Sequence, residues 1–215
     1  MRQTIQQLNK NKILHTGAGE NLEEALKAKF VTRKGITIGF ISAADHYKKW
    51  EATDNKPGIL YMGLDQDISD VIVNTVQNVR EKCDILIFSY HWGSNWMDDV
   101  SEDMRDRAYQ LSRLGVDVIH GHSAHHVLPV EQITTRDVFG VKRDTIVFYS
   151  LGDLVDDYAV DKEYMSDLGA IAILKCTRSN NSVKIKCSII PTSQKRSRVS
   201  VAKDDNKSWV LNKMS

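Results

Sequence analysis

The sequence predicts an α+β fold in which helices alternate with strands in the first half and strands dominate the second. Two observations carry this. Twice before residue 121, apolar residues recur at helical spacing and the segment then runs into an apolar stretch of strand length. After residue 126 the runs VLPVEQITT, DTIVFYSLGD, GAIAILKCT and SVKIKCSIIPT follow one another, separated by turns and an acidic loop from Asp153 to Asp167.

The elements can be justified in order. Residues 1–10 have the spacing of a short helix, with Ile5 and Leu8 on one side. After Ile13, Leu14 and the turn HTGAGEN, NLEEALKA reads as a helix, with Asn21 as its cap and Glu23 and Glu24 in its first turn. GITIGFIS at 35–42 is β-branched and apolar, as a buried strand requires, and a polar and aromatic loop follows from Ala43 to Gly63. From Ser69 to Lys82, Val71, Ile72, Val76 and Val79 predict a helix that leads into the strand DILIFSY at 84–90. The helix at about 101–114 carries Met104, Ala108, Leu111 and Leu114 and stops at Gly115, before the strand VDVIHG at 116–121. The tail SQKRSRVSVAKDDNK is charged, so residues 1–193 are expected to form the domain and 194–215 a charged, solvated extension.

At 215 residues with 41% hydrophobic composition, the chain has enough apolar material for one sizeable core. Its net charge of +1 gives no overall field toward nucleic acid or toward a membrane, and no nucleic-acid partner is expected. Cys83, Cys176 and Cys187 are odd in number and far apart, which argues against a disulfide framework or a zinc knuckle. No apolar run approaches the roughly 18 residues of a membrane span, and the first residues lack the apolar core of a signal peptide. Localisation stays open on these grounds.

The chemistry concentrates in two loops. VIHGHSAHHV holds four of the seven histidines, directly after an apolar strand, and SYHWGSNW places His91 at the end of another. In open α/β sheets ligands sit outside the carboxyl ends of strands, and neutral imidazole is a common transition-metal ligand. His91, His122 and His125 are therefore the candidate metal-ligating and catalytic residues, with Asp153 in the Gly turn SLGD the best-placed carboxylate. Gly121 permits a tight turn, Ser123 and Ala124 leave room for a ligand, and Trp92 and Trp96 flank the first loop as candidate cleft walls. His126 is a further candidate contact, while His15 and His46 have only loop positions in their favour and read as structural. GAG lacks the full glycine pattern of a dinucleotide-binding loop.

HWGSNW, a helix, LGVDVIHGHSAHHVLPVE and IVFYSLGDLVDDY together resemble the carboxyl-terminal half of the bacterial capsule synthesis CapA family, also called poly-γ-glutamate biosynthesis proteins. The resemblance runs from about His15 to Tyr158 and includes GAGENLEEA. It implies a metallophosphoesterase-like fold of calcineurin type, a four-layer α/β/β/α sandwich. It further implies a divalent metal (Mn, Fe, Zn or Mg), a hydrolase linked to capsule or poly-γ-glutamate synthesis, and an anionic polymer or phosphoester substrate. The family's HWG histidine falls on His91, and its Gly-His-His-Pro-His loop on Gly121, His122, Ser123, Ala124 and His125. Its SLGN turn appears as SLGD, with Asp153. The substrate contacts implied are Trp92, Gly93, Gly121, Ser123 and His126. The resemblance implies that the family's earlier Gly-Asp, Asn-x-Glu and Asn-Asn-His motifs would lie upstream of Met1, so the expectation is an N-terminally truncated domain with a weakened metal site. The alternative reading is a non-catalytic binding or accessory subunit that uses the same cleft.

Overall fold

The computed structural model describes residues 1–180 and 182–215. In chain order the elements are α1 (Arg2–Lys10), β1 (Ala18–Gly19), α2 (Leu22–Ala25), β2 (Lys29–Arg33), β3 (Ile36–Ala44), a 3₁₀ turn (Lys48–Trp50), β4 (Gly58–Ile59), α3 (Asp70–Arg80) and β5 (Ile85–His91). There follow α4 (Glu102–Arg113), β6 (Val118–His122), β7 (Val130–Arg136), β8 (Lys142–Phe148), β9 (Leu168–Ser179), β10 (Ser182–Lys195), β11 (Arg198–Val201) and α5 (Asp204–Lys213).

A six-stranded sheet in the order β2-β3-β5-β6-β8-β7 forms the centre, and a three-stranded sheet β11-β10-β9 lies apart from it. β3, β5, β6 and β8 run parallel, and β2 and β7 close the edges antiparallel. Side chains alternate across a strand, so β5 sends Leu86, Phe88 and Tyr90 into the main core and Ile87, Ser89 and His91 to the opposite face. The core face is covered by Ile72, Val76 and Val79 of α3 and by Met104, Ala108 and Leu111 of α4, the helical spacing read from the sequence. Asn21 and Ser101 cap α2 and α4 by accepting from the Glu24 and Met104 amides. Mixed strands in a central sheet, helices on one face and a second sheet agree with the expected α+β sandwich.

Toward the second sheet, the opposite face opens on a cleft of about 730 Å³ whose walls include Phe40, Ile87, Val118, Phe148, Ala172 and Leu174. Ser89 and His120 lie on its floor.

Three sequence expectations change. FVTR, not assigned to any element, is the edge strand β2, because antiparallel pairing with β3 supplies partners for its backbone. The loop after Ala44 holds the 3₁₀ turn and β4, which pairs with β1. The tail is not a solvated extension: β11 pairs with β10, and Val210 and Met214 of the α5 region are buried against Val127, Leu168 and Ala170. The Val130 amide donates to the Met214 carbonyl at 3.0 Å, so this segment is tied to the main chain of the domain. Among the described residues no helix is long and apolar enough to cross a membrane.

The starts of β5 and β6 are joined by one buried ion pair. Arg80 contacts Asp117 and donates to the Gly115 carbonyl at 3.3 Å, while Asp117 Oδ2 accepts from the Leu86 amide at 2.7 Å. Removing one member of such a pair leaves the other charge buried without its partner. Arg80→Met is therefore expected to lower stability by about 3 kcal/mol, read as a shifted midpoint of urea unfolding.

Candidate functional site

The parallel register sets the site. Ala44 pairs with His91 and His91 with His122, so three strand ends lie at one height. Two residues earlier Ser89 pairs with His120, on the same face because the strand period is two. His91 and His122 rings meet edge-on with centroids 5.4 Å apart.

Beyond Ala44 the chain turns, and the Asp45 amide donates to the His91 carbonyl at 2.9 Å. This brings Asp45 and His46 onto the end of β5. One ligand atom each from Asp45, His46 and His91 lies within 4.8 Å of the others. Asp45 Oδ1 and His46 Nδ1 are in contact, yet Asp45 Oδ1, His46 Nδ1 and His91 Nδ1 are all buried without a hydrogen bond of acceptable geometry. The other carboxylate oxygen, Oδ2, accepts from the Gly93 amide at 2.7 Å, and the Asp45 side chain is 8% exposed. Buried polar atoms that converge without well-formed hydrogen bonds are costly, and a cation between them would relieve that cost. Burial raises the pKa of Asp45 and lowers that of His91.

Behind this group runs a hydrogen-bonded row. Ser89 Oγ lies 3.1 Å from His120 Nδ1 and 3.2 Å from His122 Nε2. One hydroxyl proton serves one of these nitrogens, so the other must carry its own proton and donate. The row engages His122 through Nε2 and leaves Nδ1 for another partner. Burial, reinforced by His120 and His91, pushes the His122 pKa down to about 4, which keeps it neutral and able to coordinate.

A second group forms around His125, whose Nδ1 lies 2.8 Å from Asp153 Oδ2, with Asp156 completing a set within the same 4.8 Å limit. Burial and the neighbouring Asp156 push the Asp153 pKa up, and interaction with Asp153 pulls that of Asp156 down. Trp96 and Tyr158 place their rings 5.5 Å and 5.2 Å from His125 and wall this side.

The residues singled out from sequence therefore divide. His91 and His122 come together at two strand ends, and His125 joins Asp153 in a separate group. The expected substrate contacts are positioned differently. Trp92 is 1% exposed, stacks on Tyr149 and donates to its carbonyl at 3.0 Å on the core face. Gly121 is required by that packing, since a Cβ there would lie 2.3 Å from Trp92 Nε1. Gly93, at φ +73°, turns its amide to Asp45. Ser123 is buried and donates to the Gly93 carbonyl at 3.0 Å, tying the two histidine loops together. His126 is wholly buried with both nitrogens within hydrogen-bonding reach of backbone: Nδ1 is 3.2 Å from the Val127 carbonyl and Nε2 accepts from the Met97 amide at 3.3 Å. These five shape the loops from within. His46, read from the sequence as structural, joins this group, while Asp45 carries no spacing that marks a ligand and Ser89 within a strand reads as neutral.

Residues 1–158 match the description "Bacterial capsule synthesis protein PGA_cap". The chain belongs to this PGA_cap family. A Mycobacterium tuberculosis relative named "Probable polyglutamine synthesis accessory protein" is 28% identical over 210 residues, covering 93% of this chain and 53% of that protein. The "PGA biosynthesis protein CapA" of Bacillus subtilis is 28% identical over 159 residues, covering 73% of this chain and 38% of that one. This PGA_cap chain thus spans about half the length, or less, of these relatives. Among solved structures, the Haemophilus influenzae NAD nucleotidase aligns over 93% of this chain and 35% of its own, with 11% identity and a TM-score of 0.44. The two side-chain groups are compatible with a divalent metal.

The depressed histidines fix a pH dependence. The folded pKa of His122 lies below the ordinary 6.5, so the fold favours the neutral ring, and the stability this confers is lost as pH falls from about 6.5 toward 4. His91, His120 and His126 are lowered in the same direction. Thermal scans are expected to show the melting temperature falling through that window, with a shallower fall in His122→Gln.

Proposed function

We propose that this chain carries a cation-dependent hydrolytic centre acting on a phosphoester or related anionic substrate in the synthesis of a capsule polymer of the poly-γ-glutamate kind. The observation that carries the reading is the convergence of three buried atoms from Asp45, His46 and His91, none with a well-formed hydrogen bond, beside the neutral His122. A divalent cation fits this donor set, since a carboxylate and imidazoles suit Mn, Fe or Zn. Asp45, His46 and His91 would hold it, with His122 Nδ1 near at hand. Such an ion supplies Lewis acidity toward an anionic oxygen and lowers the pKa of bound water.

The chain's own residues do the rest. Gly93 fixes the Asp45 carboxylate through its amide, and the Ser89 row fixes the plane of His122. Asp153 holds His125 by Nδ1, which leaves Nε2 free to carry a proton toward a leaving group. The rings of Trp96 and Tyr158 pack against His125 and restrict its orientation.

The name of the mycobacterial relative favours a second reading, an accessory subunit that binds the polymer without cleaving it. One experiment separates the two. Calorimetric titration with Mn²⁺ should show binding by the chain and an affinity lower by at least about tenfold in His91→Ala and Asp45→Asn. Hydrolysis of p-nitrophenyl phosphate that depends on added Mn²⁺ and disappears in His91→Ala supports the hydrolase. Mn²⁺ binding without turnover supports the accessory reading, and no binding at all removes the cation centre.

A further inference from the structure

We infer that the end of the domain opposite the histidine site docks on an anionic lipid surface through the β7–β8 turn. This turn, Asp137 to Val141, exposes Val138 at 48%, Phe139 at 61% and Val141 at 49%. Scattered apolar exposure is ordinary, but three such side chains on one five-residue tip are not.

The tip is held in that shape. The Asp137 side chain is 1% exposed; its Oδ1 accepts from the Phe139 and Val141 amides, both at 2.9 Å, and its Oδ2 from Arg143 Nε at 2.8 Å. The Val138 amide donates to the Arg113 carbonyl at 2.9 Å, anchoring the tip to the end of α4, and Gly140 takes φ +79° to close the turn. The backbone polar groups are thus turned inward and the apolar side chains outward, as a surface-inserting loop requires.

Charge complementarity selects the occupant. The topology brings the amino ends of the parallel strands β3, β5, β6 and β8 to this same end. With them come Arg33 and Lys34 from the β2–β3 turn, Lys82 before β5, Arg113 before β6, and Arg136 and Lys142 beside the tip, all exposed. Some of the acids here are neutralised: Asp84 pairs with Arg178, Asp117 with Arg80 and Asp137 with Arg143, which leaves Glu81, Asp144 and Asp67, the last beside Arg113 and Val138, against six exposed cations. Apolar side chains ringed by cations match a bilayer with anionic headgroups, where each cation near the surface adds attraction. A soluble polyanion would use the cations but gain nothing from Phe139. With β8 seven residues long, the site sits roughly 20 Å from the tip and faces away from the surface on which the tip rests.

Sedimentation with large unilamellar vesicles tests this. The chain is expected to co-sediment with vesicles of one-third phosphatidylglycerol in phosphatidylcholine, to bind pure phosphatidylcholine much less, and to dissociate as salt is raised. The pair Val138→Ser and Phe139→Ser should weaken binding about tenfold or more, and Lys34→Glu with Lys142→Glu should also weaken it. All four positions are exposed, so the melting temperature should not change, which separates lost docking from lost folding. Failure to sediment with anionic vesicles, sedimentation unaffected by the Val138 and Phe139 changes, or preference for soluble polyglutamate over vesicles would each overturn the inference.

Discussion

Parallel pairing of β3, β5 and β6 is the constraint on which the rest of the molecule depends. A slip of one residue between β5 and β6 would turn His91 or His122 to the helix side, because side chains alternate with period two. The register is held from both faces. On one, Leu86, Phe88 and Tyr90 must meet α3 and α4; at the strand starts, Arg80 and Asp117 fix β5 and β6 to each other. The same pairing that builds the core therefore brings imidazoles from separate strands to one height, and the turn after β3 adds Asp45 and His46.

The histidine loops illustrate how polar groups divide between holding and acting. His126 has both ring nitrogens opposite backbone groups, which leaves neither for a ligand, and Ser123 commits its one hydroxyl proton to the Gly93 carbonyl. His91, His46 and Asp45 are the opposite case, with buried atoms that find no well-formed hydrogen bond among the described residues. Membership of the PGA_cap family and the unsatisfied donor set are independent observations, one of ancestry and one of chemistry. They meet at His91.

The molecule is also polarised along its strands. Histidines and acids gather at the carboxyl ends, while exposed lysines and arginines gather at the amino ends around an apolar tip. Nothing in the net charge of +1 discloses this separation, since the two ends largely cancel. Only the parallel topology, which sends every amino end of β3, β5, β6 and β8 the same way, sorts the charges.

The sequence by itself determined the local elements and the neighbourhood of the site. Apolar spacing located α3 and α4, β-branched runs located β3, β5 and β6, and His91 and His122 were legible because histidines directly after buried strands are unusual. These are properties of contiguous residues. Tertiary structure decided what depends on distant ones. It separated His125 and Asp153 from His91, moved Trp92 into the core, brought in Asp45, His46 and Ser89, and docked Val210 and Met214 where a charged tail was expected. In each case the deciding contact joins residues far apart in the chain, Asp45 with Gly93, Ser89 with His122, Met214 with Val130. Such contacts are set by strand register and packing, and periodicity within a segment carries no record of them.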